Sequence, residues 1–300
     1  MPRLCKSIIS KHYQEVKFIF KNKKMQKIFN IELYSKTYKE LFDEIIKFNT
    51  QNIVFTPNPE ILLKTLSDEE FKSLLNKASY LTIDWIGMYI AFQINDFKIS
   101  ENNFLNKLLA FLILPYFFFN LFFRRNYLYK KYWERICGSD LTSDLVAYFE
   151  KENIKITIID PYYPKDLAKV EAQRTFREDL LKKFPKLNFD YFIYKSEDKD
   201  KIIEQIKNSD SKILFATLWM KKQEQAVVEI MEKCYNIKLW LGIGSSFDYF
   251  TGFQKRAPKF WRAIGFEWLY RLATWPQKIV RLKRLWNAIF VFIFKVLVKK

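Results

Sequence analysis

Histidine is almost missing from this chain: His12 is the only one in 300 residues. That excludes a Ser-His-Asp triad, an HExxH metalloprotease and a His-rich metal centre, and it leaves a carboxylate as the first candidate for any general base. Cysteine is scarce and odd in number. Cys5, Cys137 and Cys234 show no CxxC spacing, so neither a disulfide framework nor a zinc site follows, and a reducing compartment fits. Negative charge is also short. Against 51 Lys+Arg stand 33 Asp+Glu, a formal net charge of +18, which points to an anionic partner: nucleic acid, anionic lipid or a sugar nucleotide. Part of that excess reflects a composition rich in Lys, Asn, Ile and Phe. No apolar run lies near the start, so no signal peptide is expected.

What is present divides into three parts. Residues 1–30 form a basic extension with Phe18 and Phe20 among lysines, a segment suited to touching a membrane. From 31 to 255, strand-like runs alternate with segments of helical apolar spacing. The runs are Asn52–Thr56, Tyr80–Asp84, Lys155–Asp160, Phe189–Tyr194, Lys212–Leu218 and Lys238–Ile243. Such alternation predicts an α/β fold, a Rossmann-like, mainly parallel sheet with helices on both faces. Ligand-binding residues then belong beyond the carboxyl ends of the strands, where Thr56, Asn58, Asp84, Gln223 and Asp248 all fall. Residues 256–300 read as a basic and apolar helical appendage that associates with a membrane.

Two segments do not fit an ordinary soluble domain. Leu108–Phe123, inside an insertion at about 96–130, is nearly all apolar, broken by Pro115 and Asn120 and bracketed by Lys107 and Arg124-Arg125. A helix of that length spans ~24 Å, short of a ~30 Å hydrocarbon core, so a kinked or re-entrant segment is expected, with a buried core helix as the alternative. Leu285–Val298 is apolar all round apart from Asn287 and Lys295, with Lys283-Arg284 before it and Lys299-Lys300 after it. A helix of that kind is buried or in lipid. Flanking cations suit an anionic cytoplasmic leaflet and favour peripheral or monotopic attachment. Packing between copies of the chain, as a homo-oligomer, is the competing reading.

The densest block is Leu241–Arg281. Gly242 and Gly244 follow the strand Lys238–Leu241 at a turn where backbone N–H groups can approach a ligand without a Cβ in the way. Asp248 follows with a carboxylate suited to a ribose or base edge. A helix start at Ala257-Pro258 and an aromatic stripe (Trp261, Ile264, Trp268, Leu272) come next, threaded with Arg256, Arg262, Arg271, Lys278 and Arg281. A basic surface helix on an ordinary domain is the plain alternative.

This block resembles the signature of the WecG/TagA/CpsF glycosyltransferases. The matching pieces are Gly242/Gly244, Phe247-Asp248, Gly252, Arg256-Ala257-Pro258, Glu267–Arg271 and Pro276 through Arg281. Further matches lie upstream at Thr56–Pro59, Thr82–Gly87, Arg135–Leu141 and Lys222-Gln223-Glu224. All six glycines (87, 138, 242, 244, 252, 265) fall in or beside these pieces. The resemblance implies an inverting transfer of an N-acetylmannosamine-type or related hexose. The donor is a UDP-sugar and the acceptor a polyprenyl-diphosphate-linked sugar, in cell-envelope polysaccharide synthesis. It makes Asp84 the base, with capping of the next helix as the plain alternative. Thr56, Asn58, Arg135, Gln223, Asp248, Gly242 and Gly244 become substrate contacts. Arg271, Lys278 and Arg281 complete the site over the diphosphate, replacing a metal ion, so neither metal nor other cofactor is expected. Asp198-Lys199-Asp200 has formal metal-binding spacing but sits in a charge-saturated run and reads as a solvated loop.

The chain also departs from that pattern. The family's Pro-Asp-Gly is Ile83-Asp84-Trp85, the Gly-x-Pro before Lys-Gln-Glu is replaced within Leu218–Lys221, and Lys278 stands for an arginine. These changes admit a second reading, a catalytically weakened UDP-sugar-binding scaffold of an envelope-polysaccharide complex. A nucleic-acid binder is the third. It is disfavoured because the cations flank apolar segments instead of forming a separate arm.

Overall fold

A computed structural model describes residues 25–98, 100–163, 166–263, 266–274 and 278–298, so most of the basic extension lies outside the described residues. Eight strands form two sheets. A hairpin pairs β1 (Gln26–Ile28) with β2 (Ile31–Leu33), and its Ile28, Ile31 and Leu33 join the core, so residues 26–28 are part of the folded domain. The main sheet has six parallel strands: β3 (Asn52–Phe55), β4 (Tyr80–Leu81), β5 (Ile156–Pro161), β6 (Phe189–Tyr194), β7 (Ile213–Ala216) and β8 (Leu239–Gly242). Their order across the sheet is β4-β3-β8-β7-β5-β6. All six strand-like runs of the sequence are present: Phe189–Tyr194 in full, Lys155–Asp160 shifted by one residue to Ile156–Pro161, and the other four trimmed at their ends.

Alternation along each strand sends side chains to two separate cores. Ile53 and Phe55 of β3, Leu214 and Ala216 of β7 and Trp240 of β8 face one side. There they meet α3 (Glu69–Asn76), α4 (Met88–Asp96), α10 (Lys199–Lys207) and α11 (Lys222–Met231). Val54, Ile213, Phe215, Leu239 and Leu241 face the other side, against α1 (Tyr38–Ile45), α8 (Gly138–Lys151) and α9 (Leu167–Lys183). The inner strands β3, β8, β7 and β5 are buried on both faces, which is why they read as mainly apolar runs, while the edge strand β6 is partly exposed.

Helix starts carry their own chemistry. Thr37 and Glu40 form a capping box on α1, Asn58 accepts from the Ile61 N–H to open α2 (Pro59–Lys64), and Asp68 does the same for α3. Pro59 at the first turn of α2 has no N–H to leave unpaired there.

The apolar segment forms α5 (Asn103–Leu112) and α6 (Leu114–Phe123), bent by 59° at Ile113, ahead of α7 (Arg125–Tyr132). Pro115 lies in the first turn of α6, where it cannot continue the ladder of α5. Among the described residues no single helix is long and apolar enough to cross a membrane, although this bent pair passes by length and composition together.

The C-terminal region is broken. From Ala257 onward the described helices are α12 (Lys259–Ala263), α13 (Glu267–Thr274) and α14 (Lys278–Trp286), with Phe266 outside any helix. A π-helical turn at Asn287–Val291 leads into α15 (Phe292–Val298). The apolar tail is only half hidden. Phe292, Ile293, Val296 and Leu297 enter the first core against α2, α4 and α5, while Phe290, Phe294 and Val298 stay exposed.

Candidate functional site

Two neighbouring hollows open beyond the carboxyl ends of the strands. The larger, of ≈ 190 Å³, is lined by Asn58, Asp84, Arg135, Cys137, Glu267 and Arg271 among others, with Trp85, Trp268, Leu285 and Ala288 as apolar wall. The chain after β4 delivers Asp84, and α8 begins against it: the Gly138 N–H donates to Asp84 Oδ1 at 2.9 Å. Asp84 therefore does cap a helix. That helix is α8, far along the chain; the following helix α4 has no side-chain cap.

Thr56 at the end of β3 packs on the same glycine. A Cβ on Gly138 would stand 2.8 Å from Thr56 Oγ1 and 3.0 Å from its Cγ2, so only glycine lets α8 approach this closely. Gly138→Ala is expected to cost about 1–3 kcal/mol, read as a lower midpoint in thermal unfolding.

Carboxylates and guanidinium groups balance one another in this cavity. Burial raises the proton affinity of Asp84 above that of an ordinary aspartate; Arg135 and the Gly138 N–H oppose the shift, and Glu267 adds to it. Glu267 is buried and accepts from Arg271 Nε at 3.1 Å and from its NH2 group. Burial disfavours its charge too, but Arg271, with Arg135 and Arg256 behind it, wins and holds the carboxyl below its usual range. Burial also pushes the Cys137 thiol up to about 11, so it stays protonated at neutral pH. Arg284 reaches toward Glu60 at 4.0 Å on the cavity's outer wall.

The smaller hollow, ≈ 20 Å³, lies over β5, β7 and β8 and is lined by Asp160, Tyr163, Lys169, Gln173, Thr217 and Asp248 among others. Lys169 of α9 pairs with Asp248 Oδ2 at 2.7 Å, and Gln254 donates to the same oxygen at 2.9 Å. Burial raises the proton affinity of Asp248, while Lys169 resists. Asp160 accepts from Tyr191 Oη at 2.9 Å, from Gln173 at 2.6 Å and from the Thr217 hydroxyl.

One residue links the two hollows. Asp248 faces the smaller, while the next residue, Tyr249, lies with its ring 5.3 Å from the Arg271 guanidinium of the larger. Burial, only partly offset by Arg271, pushes the Tyr249 phenol up to about 12.

The structure brings together Asn58, Asp84, Arg135 and Arg271, with Thr56 packed on Gly138 behind them, and sets Asp248 in the adjoining hollow. Gln223 is different. It is buried, accepts from the Gly244 N–H at 2.9 Å and donates to Glu224 at 3.2 Å, so both ends of its amide are used in holding the glycine turn. A Cβ on Gly242 would meet Phe55 at 2.5 Å and Gln223 at 2.6 Å, whereas Gly244 sits at φ +52° beside open space. Gly242 thus serves packing, and Gly244 supplies a backbone angle that side chains resist. The side chains of Lys278 and Arg281 lie outside the described residues. Asp198 ends a 3-10 turn, and Asp200 pairs with Lys233 at 3.5 Å on the surface.

Sequence reasoning missed Lys169, Tyr249 and the role of Glu267 as partner to Arg271. The Glu267–Arg271 spacing of four residues was a legible signal, since it places both on one helix face. Lys169 carried none, being one lysine among many.

Such a site, beyond the carboxyl edge of a doubly covered parallel sheet, defines a Rossmann-like α/β protein with its ligand hollows at the strand ends. A family model described as the glycosyl transferase WecG/TagA/CpsF family matches residues 26–110 and 121–300, and the chain belongs to that family. The family consists of glycosyltransferases of membrane-associated cell-envelope polysaccharide synthesis, which in general use a sugar-nucleotide donor and a lipid-linked acceptor. The stretch left unmatched, 111–120, straddles the bend between α5 and α6.

Proposed function

We propose that this chain is an inverting, metal-independent glycosyltransferase using a UDP-sugar and a polyprenyl-diphosphate-linked sugar acceptor at the cytoplasmic face of the bacterial membrane. The transferred residue is an N-acetylmannosamine-type or related hexose. Asp84 takes the proton of the acceptor hydroxyl as that oxygen bonds to the sugar's anomeric carbon. The bond from that carbon to the UDP oxygen breaks on the opposite side, and UDP leaves with its extra negative charge facing Arg271, Lys278 and Arg281. Arg135, Thr56 and Asn58 hold the sugar, and Asp248 holds the uridine end beside the glycine turn.

One observation carries this reading: a half-buried carboxylate with raised proton affinity shares a cavity with two arginines, next door to the hollow of Asp248. A base gains from holding a proton more strongly, provided that it can still ionise; desolvation serves the first need and the two arginines the second. The test is UDP release from a panel of UDP-sugars, measured with and without a polyprenyl-diphosphate-linked acceptor. Acceptor-dependent release supports the proposal. UDP binding with no transfer to any lipid-linked sugar would instead favour a scaffold.

Lys169 gives a separate expectation. Without its cation Asp248 is left buried with no counter-charge, so Lys169→Met is expected to weaken UDP binding about tenfold, as measured by calorimetry.

A further inference from the structure

We propose that α5, α6 and the outer face of α14–α15 form one ledge that inserts into a single leaflet of an anionic bilayer and holds the cavity mouth at headgroup depth. This rests on the lipid-linked acceptor of the proposed function and adds where the lipid meets the protein. On the helix pair, Phe111, Tyr116, Phe119 and Phe123 are exposed, Phe123 by 75%. On the tail, Trp286, Phe290, Phe294 and Val298 repeat every four residues and are each more than half exposed. The two parts touch, since Lys107 of α5 donates to the Val296 carbonyl of α15 at 2.6 Å.

The inner side of the pair is fastened. Asn120, which interrupts the apolar run, is buried and donates to Gln93 Oε1 at 2.9 Å, while Gln93 donates to the Phe117 carbonyl at 3.2 Å. A polar pin of this kind fixes α6 to α4 and turns only the opposite side outward. Each helix of the pair is about 15 Å long, half the thickness of a ~30 Å hydrocarbon core, so the ledge suits one leaflet and not a span.

Charge selects the occupant. Residues 102–133 and 272–300 contain no Asp or Glu, yet they carry Lys107, Arg124, Arg125, Lys130 and Lys131 in the first stretch and seven cations in the second; of these Lys131 pairs with Asp96 and Arg284 reaches toward Glu60, and the rest of the sum stays positive. A second copy of the chain would bring cations against cations. A surface of anionic lipid would neutralise them.

The ledge also reaches the site. Phe122 of α6 stacks on Phe266 with centroids 5.2 Å apart and planes 1° from parallel, and Phe266 immediately precedes Glu267 and Trp268 of the cavity wall. On the tail side, Leu285 and Ala288 line the cavity while Trp286 and Phe290 of the same turns are exposed. An acceptor whose isoprenoid chain stays in the leaflet would therefore meet the cavity from the ledge.

Flotation of the full chain with vesicles of equal phosphatidylcholine and phosphatidylglycerol tests this, run beside thermal shift with UDP and light scattering for oligomeric state. The variants are Phe111→Ser/Phe119→Ser/Phe123→Ser on the pair and Phe290→Ser/Phe294→Ser on the tail. Their side chains are exposed, so UDP stabilisation should be retained and reports that each variant folds. The expected result is parent chain that floats, with vesicle partitioning at least about tenfold weaker in both variants. Variants that float like the parent overturn the proposal, as does a parent that stays at the bottom in any oligomeric state. Absence of UDP stabilisation in a parent that floats counts against the donor assignment alone and leaves the ledge standing.

Discussion

Asp84→Asn is expected to lower sugar transfer by about 10²–10⁴-fold while leaving UDP binding intact and the fold no less stable. The amide keeps an oxygen for the Gly138 N–H, so α8 retains its cap. What disappears is the site that takes the acceptor proton. The stability half follows from the direction of the proton shift. Asp84 binds its proton more tightly in the folded chain than in the unfolded one, chiefly because the fold desolvates it. Stability from that preference is complete below the ordinary aspartate range and is lost as pH rises through the elevated folded value. At neutral pH the native carboxylate is therefore held at a cost, which asparagine removes.

Melting curves for parent and variant should diverge at neutral pH and converge in acid. Transfer by the parent should rise with pH through the same shifted ionisation. Full turnover in the variant would remove Asp84 from the chemistry, whatever the melting curves show.

Arg271→Ala is expected to do damage of two kinds. Glu267 is buried and relies on Arg271, so removing the guanidinium leaves an uncompensated carboxylate, a loss of about 3–5 kcal/mol. The same change strips positive charge from the departing diphosphate, costing about 10²–10³-fold in transfer. Pairing it with Glu267→Gln separates the effects. The double variant Glu267→Gln/Arg271→Ala should recover most of the thermal stability and none of the transfer rate. Recovery of both would make Arg271 a structural partner of Glu267 and nothing more.

Much of the fold could be read directly. The inner strands β3, β8, β7 and β5 are mainly apolar runs because helices cover both faces of the sheet there, and burial on both sides needs no alternation. The two apolar segments stood out as too long and too greasy for an ordinary loop. Their inner and outer faces did not, because which side of α6 is pinned depends on Gln93, a residue of another helix.

Chain order alone settled the kind of protein: a parallel α/β fold, a glycine turn after its last strand, a basic apolar tail and a shortage of histidine that hands acid–base work to carboxylates. These are properties of composition and of neighbours along the chain, and they survive without coordinates. Tertiary structure alone decided which charges face one another. Asp84 meets the start of a helix 54 residues away, Lys169 finds Asp248 across 79, and Gln223, a ligand candidate, clasps the glycine turn. Such pairs carry no local period or spacing. They exist only because parallel strands from distant parts of the chain end at one edge, where burial strengthens each charge's hold on the next.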